Sequence, residues 1–223
     1  MGEGSKAVFK YLTPAAPAFI YILFAVGVVC HVLEPTRDLL LTMTPYFLLF
    51  MSIIVLLPQA LYRNWGLFLW AAPVLLATFM IESIGVGTGL VFGHYDYGPT
   101  LGRHLLGVPP VIGLNWVLVM LGAILLSGRM TKKPLPKALL SGALAVIFDL
   151  VMEPVAIELD YWTWDNVSVP LQNYVAWGVI AFVISMTYSW AKVDASGKRG
   201  VLLEHFFLVQ VLFFTLLNLV VVP

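Results

Sequence analysis

The chain is a succession of apolar runs, each about as long as a helix must be to cross a bilayer. Such runs fold as helices because a helix closes its own backbone hydrogen bonds, which lipid cannot do for it. They delimit seven expected spans, about 15–33, 39–61, 65–84, 109–127, 136–157, 171–191 and 201–222. The expected fold is all-α: a polytopic membrane helical bundle of about seven transmembrane helices, with residues 1–223 forming a single integral membrane domain. The second and third spans are separated only by Tyr62, Arg63 and Asn64, a tight hairpin. Charge content agrees with burial in lipid. Only 11% of residues are charged, against about 25% in a soluble domain.

The basic residues sort by side. Lys6, Lys10, Arg63, Arg129, Lys132, Lys133, Lys137, Lys192, Lys198 and Arg199 fall at one end of the expected bundle, Arg37 and Arg103 at the other. The positive-inside rule then places the N-terminus in the cytoplasm and the chain in the cell (cytoplasmic) membrane as a multi-pass protein. The run after Lys6 and Lys10 is long enough to stay as an anchor rather than leave as a signal peptide. The acids lean the other way. Glu34, Asp38, Glu82, Asp96, Asp149, Glu153, Glu158, Asp160 and Asp165 lie on or toward the outer side. Zero net charge gives no pull toward nucleic acid. The single cysteine, Cys30, excludes an intramolecular disulfide and any CxxC site.

Two segments carry the chemistry. The third span ends in Ile81-Glu82-Ser83-Ile84, and a loop of about twenty residues follows, through Gly85-Val86-Gly87-Thr88-Gly89 to Phe92-Gly93-His94-Tyr95-Asp96-Tyr97-Gly98. Its glycines permit tight turns. They are not a nucleotide-binding fingerprint, which needs a strand–turn–helix unit. The fifth span ends in Asp149-Leu150-Val151-Met152-Glu153-Pro154, followed by Glu158-Leu159-Asp160-Tyr161-Trp162-Thr163-Trp164-Asp165. Asp149 and Glu153 are four residues apart and share one helix face. Two such carboxylates in a low dielectric do not both ionise, so one is expected to hold its proton. Carboxylates inside a membrane are costly and mark function by default. Pro154 frees a carbonyl and opens room beside Glu153. The plainer alternative sets Glu82 and Glu153 at headgroup level, solvated or paired with Arg103, and the tyrosines and tryptophans in an interfacial belt. Val108-Pro109 precedes Trp116 at the same spacing as Val169-Pro170 precedes Trp177. That suggests two helical hairpins whose loops meet around one pocket. The Asn166-Val167-Ser168 sequon, in a short membrane loop, carries no weight.

At Glu82-Ser83-Ile84-Gly85, Phe92-Gly93-His94-Tyr95-Asp96-Tyr97, Gly107-Val108-Pro109 and Met152-Glu153-Pro154-Val155-Ala156 with Tyr161-Trp162-Thr163-Trp164, the chain resembles the carotenoid 1,2-hydratase family. That family includes γ-carotene 1′-hydratases and bisanhydrobacterioruberin hydratases. The resemblance covers roughly 65–191. It implies addition of water across the terminal C1=C2 double bond of an acyclic carotenoid end group, giving a tertiary alcohol, with no redox cofactor and no metal. On that expectation Asp149 or Glu153 donates a proton to C2. The other of the pair, or Glu82, handles the water, and His94 and Asp96 tune or position. Tyr161, Trp162 and Trp164 line a pocket for the tertiary cation, where aromatic faces attract positive charge. Tyr95, Tyr97, Asp160 and Asn173 complete the expected substrate-binding set. The expected partners are a carotenoid or other isoprenoid lipid and membrane lipid, with no nucleic acid; the oligomeric state stays open. Halophilic members are expected to be strongly acidic, so a neutral chain points to a non-halophilic source and leaves the carotenoid open.

Other activities fit less of the sequence. A carotenoid (lycopene) cyclase would form the same cation and let a neighbouring double bond attack it, and the residues hardly separate the two. A transporter with a proton relay needs acids reaching both faces. A retinal-binding protein needs a lysine in mid-span, and there is none. A di-metal hydroxylase needs paired Glu-x-x-His steps, and none of the four histidines supplies one.

Overall fold

The structure, a computed structural model, describes residues 3–165 and 168–222, and the backbone alone for 3–14. The side chains of Lys6 and Lys10, and Asn166 and Val167 of the sequon, therefore lie outside the described residues. Seven helices run α1 (Glu3–Val32), α2 (Glu34–Leu61), α3 (Trp65–Thr88), α4 (Val111–Met130), α5 (Pro134–Glu158), α6 (Leu171–Trp190) and α7 (Val201–Val220). Six are long and apolar enough to cross a membrane; α6, whose first turn carries Gln172 and Asn173, falls outside that set. The chain is a polytopic helical membrane protein. Its outer surface supports this, because Leu69, Leu76 and Ile53 are among many large apolar side chains left exposed, a pattern suited to lipid rather than water.

Two connections differ from expectation. The segment expected to link the first two spans is mostly helix. Leu33 alone is extended between α1 and α2, and Pro35 opens α2, where a missing N–H costs nothing. The third span also runs past residue 84. Gly85 and Gly87 are helical, and the turn comes at Gly89, which is left-handed (φ 66) and donates its N–H to the Gly85 carbonyl at 2.7 Å. Gly85 is needed for packing: a Cβ there would sit 2.7 Å from the Phe92 ring, which folds back onto α3.

Among the described residues the helices are joined by a short two-stranded ribbon. β1 (Tyr95–Tyr97) and β2 (Trp162–Trp164) pair antiparallel, Tyr95 opposite Trp164 and Tyr97 opposite Trp162. They join the α3–α4 and α5–α6 connections at one end of the bundle. Gly98 lets the two segments meet, since a Cβ there would strike the Asp160 carbonyl oxygen.

α4 is the central helix. Fourteen of its twenty residues are buried, as expected of a helix apolar all round. It packs against α3, α5 and α7. Small residues set these approaches, the usual device when lipid supplies no hydrophobic drive between helices. A Cβ on Gly113 would lie 3.0 Å from the Leu75 carbonyl, and one on Gly122 would overlap the Phe207 Cβ. Gly142 of α5 meets Gly178 of α6, where a Cβ would lie 2.9 Å from its carbonyl oxygen. Gly122→Leu is therefore expected to destabilise the bundle by about 1–3 kcal/mol net of the helix propensity gained, read from thermal unfolding in detergent.

The other end is latched by hydrogen bonds. The Gln59 amide donates to the carbonyls of Ala195 (2.9 Å) and Arg199 (3.0 Å), and Asn64 donates to Gln59 (2.7 Å) and to the Asp194 carbonyl (2.8 Å). The α2–α3 hairpin at Tyr62-Arg63-Asn64 is thus tied to the α6–α7 connection. Arg129 and Glu204 form an ion pair at the same end.

Candidate functional site

Strand alternation decides which side chains of the ribbon face the bundle. Tyr95 and Trp162 are buried, Tyr97 and Trp164 partly so, while Asp96 and Thr163 between them are exposed. Four aromatic side chains thus form the roof of an interior cavity. Tyr95 lies over Trp164 with ring centroids 4.9 Å apart, and Tyr97 meets Trp162 edge-on at 5.8 Å.

Three carboxylates face this roof from below. Glu82 on α3 accepts hydrogen bonds from the Tyr95 hydroxyl, from the Tyr97 hydroxyl at 3.1 Å and from Trp116 Nε1 at 2.7 Å. Glu153 on α5 accepts from Nε1 of both Trp162 and Trp164, each at 3.0 Å. One turn away, Asp149 accepts from Asn173 Nδ2 at 2.6 Å, and the same amide reaches Glu153 at 3.3 Å. All three are buried, Asp149 completely. Their hydrogen-bond donors are neutral, and Arg103 is exposed and not among them. The headgroup alternative therefore does not describe these groups.

Their satisfaction is graded. Glu82 receives three hydrogen bonds on its two oxygens, and Glu153 two strong ones and a long one. Asp149 receives one, and its Oδ1 is buried without a partner among the described residues. Asn115 Oδ1 and Gln210 Nε2 are also buried and unpartnered, and both residues line the same cavity. Buried polar atoms left over in this way need an explanation. Together they offer two acceptors and a donor, the complement of a bound water or hydroxyl.

The cavity has a volume of about 70 Å³, room for a few water molecules beside the carboxylates. Of the residues expected at the site, Glu82, Asp149, Glu153, Tyr95, Tyr97, Tyr161, Trp162, Trp164 and Asn173 line it. His94, Asp96 and Asp160 do not. His94 is exposed and its ring covers Gly89 at the end of α3. Asp96 is turned outward by the strand, and Asp160 is an exposed left-handed turn residue (φ 54) beside Gly98. Trp116 and Trp177 enter the site although sequence reasoning left them outside it. Their rings stack at 3.6 Å with planes 18° apart, and the repeated Val-Pro…Trp spacing was the signal that pointed to them. Asn115, Gln210, Thr44 and Leu48 also line the wall and had no such signal.

The tyrosines of the ribbon region stay phenols. Burial, and next the Glu82 carboxylate, pushes Tyr95 and Tyr97 well above the usual phenol value. Burial pushes Tyr161 from 10.0 to about 12, partly offset by the Thr44 hydroxyl. A pKa raised by folding stabilises fully below the unfolded value and is lost as pH rises through the folded one. Stability is therefore expected to hold up to about pH 10 and fall between pH 10 and about 12. Tyr161→Phe should flatten part of that fall in unfolding measured across this range.

Comparison with known proteins places the chain in a family. The family described as "Carotenoid biosynthesis protein" matches residues 43–222. A curated relative, bisanhydrobacterioruberin hydratase of Haloarcula japonica, is 32% identical over 173 residues, 71% of this chain and 58% of that relative. The chain thus matches somewhat over half of that relative's length. No solved structure matches. The matched region contains all three carboxylates, both strands and the stacked tryptophans, and on this ground the chain belongs to the carotenoid biosynthesis protein family.

Proposed function

We propose that the protein is a carotenoid hydratase that adds water to the terminal C1=C2 double bond of an acyclic carotenoid end group. The observation that carries this reading is Asp149: fully buried, with one oxygen unpartnered, in an aromatic-walled cavity shared with two better-satisfied carboxylates. In its acid form Asp149 gives its proton to C2. The C1=C2 π bond breaks, a C2–H bond forms and the positive charge develops at the tertiary C1. The faces of Trp162, Trp164, Tyr95 and Tyr97 stabilise that charge, each contact worth about 0.5–2 kcal/mol. Water then bonds to C1 through oxygen. Glu153, whose Oε1 holds only the long bond from Asn173, takes the proton that water releases. Return of that proton from Glu153 to Asp149 resets the pair, and the sum is alkene plus water to tertiary alcohol. Glu82, already holding three donors, anchors the roof.

The orphaned Asn115 and Gln210 favour hydration over cyclisation. A cyclase gains from excluding water at the cation, whereas these groups suit a polar nucleophile. The relative's name as a hydratase supports the same choice. The proposed setting is the cell membrane, with the whole chain as one membrane domain, the N-terminus cytoplasmic and the cavity toward the outer side. That orientation rests on the positive-inside rule. The test is turnover of lycopene by the purified protein in heavy-oxygen water. One heavy oxygen in the product supports the reading. An unlabelled isomer means cyclisation and overturns it.

A further inference from the structure

The carboxylate cavity adjoins a second one on the α2–α7 side. Thr44, Leu48, Gln210 and Phe214 line both, the second lying between α1, α2 and α7. That one has a volume of about 260 Å³. Its further wall is almost wholly apolar, with Leu23, Phe24, Leu40, Phe47 and Phe213. Of its polar groups, Thr44 donates to the Leu40 carbonyl at 3.0 Å and His31 Nδ1 meets the Gly27 carbonyl at 2.7 Å, while His31 Nε2 and Gln210 Nε2 are buried without a partner among the described residues. Along α1 the lining runs from Leu23 to His31, and along α2 from Leu40 to Leu48. Each is eight residue steps, about 12 Å of helix. Val26, another lining residue, is exposed on the lipid-facing surface.

We infer that this second cavity binds the hydrocarbon chain of the same isoprenoid whose end group enters the carboxylate cavity, and that it opens sideways to the bilayer. The inference rests on the hydration reading and adds the seat of the rest of the substrate. Four wall residues common to the two cavities argue for one elongated molecule across both. An elongated, mostly apolar wall without charge suits a polyene better than a charged headgroup. The edge at Val26 gives a lipid-dissolved substrate an entrance without passage through water.

The test fills the cavity. Wild type, Leu40→Trp and Leu23→Trp are produced in a lycopene-accumulating bacterium beside Leu139→Trp, a control on an exposed site of α5. Each is purified with its unfolding temperature checked, and both bound pigment and hydrated product are measured. The two cavity variants stand on different helices, so misfolding of one leaves the other to decide. The expected result is about tenfold or more less bound lycopene in both than in the control, the order of effect of overfilling a packed site. Equal pigment in cavity and control variants would overturn the inference, as would wild type retaining phospholipid there instead of lycopene. Pigment bound by wild type, displaced by the tryptophans and never hydrated, would sink the hydration reading and leave this cavity standing.

Discussion

Asp149→Asn is expected to lower water addition by about 10²–10⁴-fold, the usual contribution of a general acid, while the bundle stays folded. The substitution keeps the size of the side chain and keeps an oxygen for the Asn173 amide, which donates to Asp149 at 2.6 Å. It removes only the acidic proton. Bound carotenoid should remain at the wild-type level, so the loss should appear in kcat more than in KM. Full activity in the variant would remove Asp149 from the chemistry. Loss of pigment binding together with activity would make it a structural group instead. Rescue by Asp149→Glu is not expected, because the longer acid would shift the proton by about one bond length from its donating position, and misplacement of that size is costly.

The second large effect falls on stability. Glu82→Leu is expected to cost about 3–5 kcal/mol, because it strands three buried donors at once. Those donors are the Tyr95 and Tyr97 hydroxyls and Trp116 Nε1, and two of them belong to the ribbon. The α3–α4 connection should therefore loosen from the bundle, which hydrogen exchange at 95–97 would register alongside a lower unfolding temperature. Glu82→Gln keeps one acceptor oxygen and should lose clearly less. A Glu82→Leu protein as stable as wild type but inactive would contradict the anchoring role and place Glu82 in the reaction.

These two carboxylates show what the sequence could reveal. Their burial in a membrane helix was legible, because lipid makes an acid in an apolar run conspicuous. The hydrogen-bond grading that separates their roles was not, since it depends on residues such as Trp116 and Asn173 brought from other helices. The helices themselves were readable from apolar runs, with errors where a run ended gradually, at 34–38 and at 85–88. At 85–88 the glycines expected to permit a turn sit inside α3, close to its end, and at 34–38 the residues between the expected spans are already part of α2. The ribbon escaped notice because each strand is three residues long, too short for a period of two to register. Its parity explains why Tyr95 and Tyr97 line the cavity and Asp96 does not. His94 and Asp160 were grouped with the site by proximity in sequence, whereas their backbones turn them to the surface. Gln210 and Asn115 lie in apolar runs that gave no hint of a shared wall.

The most direct test of the central claim is to express the chain in a bacterium that accumulates lycopene and weigh the extracted pigments by mass spectrometry. The account predicts a product heavier than lycopene by one water, with the polyene absorption unchanged, because hydration of the terminal double bond leaves the conjugated system intact. An isomer of unchanged mass with shifted absorption, or unaltered lycopene beside demonstrably folded protein that binds it, would contradict it.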